Sequence, residues 1–162
     1  MATWEFTVQH DIMASPDIIY QVWLDGNDSR GPWVGDGDRK IDGRLGGSFS
    51  WDDRNFSDMG GGGGCWGHFG EFTKLENNSL PYRIEYTWKS QWTDQYASQM
   101  LVTLDTDKTD ERFTKVTVRQ TGLPDNRHGY EHKHAWIRIL GEMGAKFWGN
   151  AGIKDARTKV LV

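Results

Sequence analysis

The chain has 162 residues, the usual size of one domain, and its formal net charge of -4 comes from 23 acidic and 19 basic residues scattered along it. This balance excludes the basic footprint of a nucleic-acid-binding protein, and no apolar run approaches the ~18 residues that a membrane span requires. The N-terminus lacks a basic and apolar leader, and the single cysteine, Cys65, excludes both an intrachain disulfide and a cysteine-rich metal site, so we expect a cytoplasmic protein.

Glycine and tryptophan are the main compositional bias, with twenty and nine residues respectively. Tryptophans filling a core and glycines supplying turns would explain it. An aromatic-lined cavity for a bulky ligand, with glycines making room, would explain it equally well. The composition leaves both interpretations open.

The N-terminal elements are a strand, a short helix and a loop. Apolar residues alternate along residues 3–13 and predict a strand with one buried face. Ser15 and Pro16 then supply an N-cap and a first helical residue, and apolar residues follow at helical spacing. The Gly-, Asp- and Asn-rich stretch 25–37 predicts a loop, with one helical turn as an alternative.

Strands and turns alternate from residue 39 to residue 120. Hairpin punctuation such as Asp42-Gly43 and Asn77-Asn78 predicts an antiparallel sheet whose strands are neighbours in sequence order. With the first strand there are about seven, and the others are predicted at 39–43, 47–53, 66–75, 82–88, 98–105 and 113–120.

A long helix is predicted at the end of the chain. Pro124 and Asn126 close the sheet region and open this helix, and one apolar stripe of it should face the sheet. Gly141 and Gly144 lie inside this helix, and each lowers helix stability by about 1 kcal/mol relative to alanine. Glycines at this cost predict that another part of the protein or a ligand approaches the helix closely. The stripe consists of Trp136, Leu140, Met143 and Phe147.

Five segments in chain order carry a resemblance to a known superfamily. They are HDIMASPDIIY at 10–20, DGRLGGSF at 42–49, GHFGEF at 67–72, YTW at 86–88, and HAW at 134–136 with Leu140 and Met143. Through them the chain resembles the START-type (SRPBCC, Bet v 1-like) superfamily, most closely the branch named after the activator of the Hsp90 ATPase.

The resemblance and the order of elements predict one α+β domain over residues 1–162. Its fold is the helix grip, a curved antiparallel sheet around a long C-terminal helix, with short helices after the first strand and a ligand cavity between sheet and helix. That branch includes lipid and polyketide binders, aromatase/cyclases, hydrolase-like enzymes and co-chaperone domains, so the resemblance implies no single function.

A narrower resemblance, in composition alone, is to the self-sacrifice resistance proteins of enediyne producers, of the calicheamicin type. In these a protein glycine gives up a hydrogen to the diradical of the drug and the chain is cleaved. It implies a sacrificial or gating loop with a thiol beside the glycines; a flexible hairpin loop is the alternative. The candidate residues are Gly60, Gly61, Gly62, Gly63, Gly64 and Cys65.

The aromatic residues of the predicted cavity walls are the main candidates for ligand contact, although a residue of this kind is more often part of a core than of a pocket. They would suit a bulky aromatic or polyene molecule, such as a polyketide-like natural product, oriented by His68, Gln99 or Gln120. The predicted ligand contacts are Trp33, Trp51, Trp66, His68, Tyr86, Trp88, Met100, Trp136, Met143 and Phe147.

The histidines give little support to a metal site. His128 and His132 could share a helix face at a spacing that chelates zinc, but Gly129 and the nearby helix start make that face uncertain. We therefore expect no metal and no cofactor, and we expect histidines that are solvated or at the cavity edge.

Catalysis has no direct support in the sequence. Asp36, Asp38, Glu71 and Glu85 could act as general acids or bases if buried, but no Ser-His-Asp or Cys-His arrangement is recognisable, so no catalytic residue is assigned.

Three functions remain. The first is small-molecule binding, in its sharpest form enediyne self-sacrifice. The second is a polyketide cyclase, aromatase or hydrolase-like enzyme that uses cavity carboxylates or His68. The third is a co-chaperone domain for Hsp90. No oligomeric state is predicted.

Overall fold

A curved antiparallel sheet and a long C-terminal helix form the fold. The structure is a computed structural model and describes residues 3–33, 38–53, 66–90, 98–148 and 159–160. The helix-grip prediction is confirmed. The strands are β1 (Thr3–Ile12), β2 (Arg39–Ile41), β3 (Ser48–Asp53), β4 (Trp66–Glu76), β5 (Tyr82–Ser90), β6 (Ser98–Thr106), β7 (Thr114–Pro124) and β8 (Lys159–Val160), and the helices are α1 (Pro16–Trp23) and α2 (Arg127–Trp148).

The strand order is β2-β3-β4-β5-β6-β7-β1-β8. Neighbours follow the sequence from β2 to β7, as predicted, but β1 pairs with β7, with Val8 opposite Val118. Sequence order fails at this point because the strand that follows β1 in the chain, β2, lies at the far edge of the sheet, and α1 stands between the two in sequence. On its other side β1 pairs with β8, a strand that the sequence does not predict.

The elements of the N-terminal segment form for local reasons. Ser15 Oγ accepts the Ile18 N–H at 3.3 Å, and Pro16 supplies the first helical residue, so the predicted start of α1 is confirmed. In β1, Phe6, Val8, His10 and Ile12 are buried on the predicted face.

Strands β5 and β7 extend two or more residues past their predicted ends because pairing continues beyond the apolar pattern. Ser90 extends β5 opposite His68 of β4. In β7, Gly122 adopts φ 79°, where the register with β1 shifts, and pairing resumes with Leu123 opposite Trp4.

Helix α2 packs mainly on β1. Asn126 Oδ1 accepts the N–H groups of His128 at 2.9 Å and Gly129 at 3.2 Å, which fixes the start of the helix near the predicted position. Trp136, Leu140 and Met143 of the predicted stripe are buried, and Phe147 is half-buried. Neither helix in the described ranges is long and apolar enough to cross a membrane.

The two helix glycines have different surroundings. A Cβ on Gly144 would lie 2.5 Å from His10 Nε2, so the predicted close approach to the helix occurs there. A Cβ on Gly141 would meet nothing within 4 Å among the described residues, so the prediction is wrong for this glycine.

Alanine at these two positions gives a matched test of the packing between α2 and β1. Gly141→Ala should raise the free energy of unfolding by up to about 1 kcal/mol through helix propensity alone. Gly144→Ala gains the same propensity but presses on His10, so it should lower stability by about 1–2 kcal/mol. Urea unfolding measures both, and equal stabilisation by the two substitutions would contradict the close contact.

Candidate functional site

Buried aromatic side chains occupy the space between the sheet and the two helices. Alternation along β3 turns Phe49 and Trp51 inward, and alternation along β5 does the same for Tyr86 and Trp88. We call this set the inner aromatic group: Trp23, Trp33, Phe49, Trp51, Tyr86, Trp88 and Trp136, each at most 2% exposed.

The rings of this group are in mutual contact. Trp23 of α1 stacks on Trp136 of α2 with centroids 6.0 Å apart and an interplanar angle of 7°. Trp136 meets Trp88 of β5 edge-on at 5.8 Å, and Trp33 meets Trp51 edge-on at 5.5 Å. One aromatic surface therefore joins both helices to the sheet.

Most of the ligand contacts predicted from the sequence are brought together here, and their role stays a prediction. Phe147 is half-buried, with the Arg30 guanidinium carbon 5.1 Å from its ring centroid. The side chain of Trp66 and the loop candidates Gly60–Gly64 and Cys65 lie outside the described residues. The buried candidates are Trp33, Trp51, His68, Tyr86, Trp88, Met100, Trp136 and Met143.

Sequence reasoning missed Trp23, Phe49 and His132 as parts of this interior. Helical spacing places Trp23 on the apolar face of α1 without indicating what that face contacts, and the sequence favours a solvated or cavity-edge His132. The signal for Phe49 was its alternation with Trp51 in the predicted third strand. Gln99, suggested as an orienting group, instead turns away from the interior, and its Nε2 donates to Thr73 Oγ1 at 3.2 Å in an exposed contact.

A hydrogen-bond chain fixes the orientation of Gln120. Ser98 Oγ donates its hydrogen to the Trp88 carbonyl oxygen at 2.6 Å. Ser98 can therefore only accept from Gln120, whose Nε2 lies 3.3 Å away. The Gln120 amide must place its nitrogen on Ser98, and its Oε1 on the other side is buried without a hydrogen-bond partner in the described part of the chain.

His132 is held as a neutral imidazole. The Trp88 indole N–H can only donate, so His132 Nε2, 3.1 Å away, must be the unprotonated acceptor. Its Nδ1–H then donates to the His128 carbonyl oxygen at 2.8 Å. Burial lowers the pKa of His132 to about 4, which agrees with this tautomer.

His68 is the second histidine of the interior. Its ring stacks on Trp88 with centroids 4.7 Å apart, and its Nδ1 lies 2.6 Å from Ser90 Oγ. Burial, and secondarily the neighbouring His132, lower the pKa of His68 well below its usual value. His68, His132 and His10 are all buried, so of the two expectations, solvated or at the cavity edge, the first is wrong for these residues.

Two further buried polar groups lack a complete set of partners. Trp136 Nε1 has no hydrogen-bond acceptor among the described residues. Tyr86 Oη accepts the Trp23 Nε1–H at 3.3 Å, and the described residues offer no acceptor for its own hydrogen. Burial raises the pKa of Tyr86, so this group is a neutral phenol. Such groups are uncommon in a closed protein core.

The carboxylates considered as acids or bases do not reach this interior. Asp38 and Glu71 are exposed, and Glu85 faces outward with Oε2 3.9 Å from Lys74 Nζ. Asp36 lies outside the described residues. Among the described residues, the titratable side chains buried between the sheet and the helices include His68, His132, Tyr86 and, against Gly144 of α2, His10, so any acid–base chemistry there would depend on groups of this kind.

The described ranges contain no group of three or more His, Cys, Asp or Glu side chains that could hold a metal ion. Both ring nitrogens of His132 are engaged, so His128 and His132 do not present a joint chelating face.

A separate cleft of about 520 Å³ lies on the outer face of the sheet. Ser48 and Ser50 line it, and they alternate with the inward Phe49 and Trp51. Its other walls come from β2 and the loop after α1, with Arg39 among them.

Comparison with known proteins gives a family and a fold. The model of the family described as Activator of Hsp90 ATPase homolog 1-like protein matches residues 13–147. No curated protein matches the chain.

Solved structures share the fold at low sequence identity. A protein from Chromobacterium violaceum has a TM-score of 0.65 and 19% identity, covering 90% of this chain and 99% of that one. A major latex-like protein from Panax ginseng has a TM-score of 0.65 and 11% identity, covering 91% and 99%. A protein described as an HSP90 activator, from Plasmodium falciparum, has a TM-score of 0.53 and 21% identity, covering 85% and 89%.

The neutral state of His132 predicts a pH dependence of stability. Below pH ~6.5 the unfolded chain binds a proton at this residue, whereas the folded protein does not until about pH 4. The free energy of unfolding should therefore fall as the pH falls through this window, by about 1.4 kcal/mol per pH unit for each such group.

His132→Gln should remove one proton from this slope while keeping an acceptor for Trp88. His134→Gln, at an exposed position on the same helix, is the matched control and should leave the slope unchanged. Urea unfolding across the pH window measures it, and a slope that His132→Gln leaves intact would disprove the assignment.

Proposed function

Because the chain belongs to the Activator of Hsp90 ATPase homolog 1-like family, whose helix-grip fold is typical of ligand-binding and cyclase-like proteins, we propose that it binds a bulky aromatic or polyene molecule between the sheet and α2. The ligand class is a neutral, polyketide-like natural product. The predicted contacts that lie in the described interior form its site.

The observation that carries this proposal is the combination of an aromatic interior with unsatisfied polar atoms. Gln120 Oε1 and Trp136 Nε1 are buried without partners in the described ranges, beside stacked indoles. A core used only for stability would satisfy such atoms or replace them with apolar groups. An oxygenated aromatic ligand supplies the missing hydrogen bonds and stacks on the same rings.

The contacts between the rings do not oppose ligand entry strongly. Aromatic pairs contribute about 0.5–1.5 kcal/mol beyond their buried area, and a flat ligand inserted between two rings replaces each such contact with a similar one. The ring centroids of Trp88 and Trp136 are 5.8 Å apart, and the two residues belong to the sheet and to α2, so entry of a ligand between them requires a displacement of the helix.

In its finer form the proposal names an enediyne as the ligand. A glycine Cα–H would transfer its hydrogen atom to a radical carbon of the activated drug, leaving a glycyl radical with which dioxygen reacts before the chain breaks. Gly60–Gly64, with Cys65 beside them, are the proposed donors. This form is supported by the composition and the glycine run.

Binding is tested by titration of tryptophan fluorescence with emodin, a hydroxylated anthraquinone of polyketide origin. Wild-type protein should bind it, and Trp136→Leu should weaken binding about tenfold because one stacking surface and one N–H donor are lost. Trp4→Leu is the matched control, since the half-buried Trp4 packs on Tyr130 instead. Equal affinity of the two variants would place the ligand elsewhere.

Three measurements separate the remaining functions: intact protein mass, the amount of product formed, and retention on immobilised Hsp90. Self-sacrifice predicts one cleavage per chain, at a glycine, with an activated enediyne. A cyclase or hydrolase predicts product in excess of protein, with the chain intact. An Hsp90 co-chaperone predicts retention of the chain on immobilised Hsp90 and no dependence on Trp136.

A further inference from the structure

We infer that the ligand carries a hydroxyl group that donates to Gln120 Oε1 and acceptor oxygens that receive the Trp136 N–H and the Tyr86 O–H. The ligand class is therefore a neutral hydroxylated aromatic ketone, rather than a hydrocarbon, an acid or an amine. This inference rests on the proposed function, because it specifies the chemistry of the molecule bound in the same interior.

The requirement for a donor on the ligand comes from Gln120. The single hydrogen of Ser98 is used on the Trp88 carbonyl, so the Gln120 amide cannot be reversed without losing its bond to Ser98. Its Oε1 is thereby fixed as an acceptor, fully buried and without a donor among the described residues. Only a ligand group that donates a hydrogen bond satisfies it.

The requirement for acceptors comes from Trp136 and Tyr86. An indole N–H is a donor only. The oxygen of Tyr86 is already used by the Trp23 N–H, so what Tyr86 still offers is its own hydrogen. Both groups therefore need acceptor oxygens, such as a carbonyl or an ether.

The three residues border one region of the interior. Gln120 connects through Ser98 to the main-chain carbonyl of Trp88, and the ring of the same residue contacts Trp136. Trp136 stacks on Trp23, which in turn donates to Tyr86. One polycyclic ligand lying against Trp23 and Trp88 therefore comes near both donors and the acceptor.

A charged ligand does not suit this region. Both histidines there are held neutral by burial, and the tyrosine is a neutral phenol. Among the described residues no Lys, Arg or Glu side chain is buried, and the buried carboxylate of Asp107 lies in the turn after β6, where its Oδ1 accepts from Thr109. Burying a carboxylate or an ammonium without an opposite charge is strongly unfavourable.

The test uses three probes on one carbon skeleton, measured by tryptophan fluorescence: tetralin, 1-tetralone and 6-hydroxy-1-tetralone. Each added polar group should strengthen binding to the wild-type protein about fivefold, the effect of one net hydrogen bond. Gln120→Leu should abolish the step from 1-tetralone to 6-hydroxy-1-tetralone. Tyr86→Phe should reduce the step from tetralin to 1-tetralone.

Matched controls come from the same two residue types. Gln99→Leu alters the glutamine that faces away from the interior on the strand next to β7, and Tyr82→Phe alters the β5 tyrosine that donates to Asp17. Each of these control variants should keep the affinity increase from tetralin to 1-tetralone and the increase from 1-tetralone to 6-hydroxy-1-tetralone.

The outcomes separate this inference from the function on which it rests. Equal affinity of the wild-type protein for all three probes would overturn the inference and leave aromatic binding intact. No binding of the probes or of emodin would overturn both. Because the wild-type series is decisive by itself, the inference stays testable even if a variant fails to fold.

Discussion

The hydrogen bond from the Trp88 indole to His132 joins the middle of the sheet to α2, and the arrangement of the interior depends on it. It sets the tautomer of His132, because an indole can only donate. The ring of Trp88 that donates this bond also stacks on His68 and contacts Trp136. Protonation of His132 would remove the acceptor, so the same bond requires that the interior stay neutral.

Neutrality and aromatic character together define what the interior can do. Five tryptophans and Tyr86 meet there, each at most 1% exposed, whereas Glu71 and Glu85 lie on the other side of the sheet. Such a surface favours stacking and burial of flat apolar molecules, with a few polar atoms to orient them. Acid–base chemistry by carboxylates has no place among the described residues of this region.

Membership of the family determines the architecture and leaves the function open. The structural relatives share 11–21% identity with this chain and include proteins described as latex-like and as an HSP90 activator. A fold shared at this distance carries different sites on the same frame. The evidence on function therefore lies in the particular residues of this chain, above all the orientation of Gln120 and the unpaired donors of Trp136 and Tyr86.

The sequence by itself determined the elements of the fold, because each depends on local patterns. Alternation gave the buried face of β1, Ser15 and Pro16 gave the start of α1, and the apolar stripe gave the buried side of α2. It also identified most of the aromatic candidates, since alternation separates the two faces of a strand.

The tertiary structure alone decided which of these elements meet. The pairing of β1 with β7, the addition of β8 and the extension of β7 beyond Gly122 depend on residues far apart in the chain. The same holds for the site: His132 and Trp88 are 44 positions apart, and Gln120 and Ser98 are 22 apart. Hydrogen bonds that fix a tautomer or an amide orientation require distances between such residues, and no local pattern contains them.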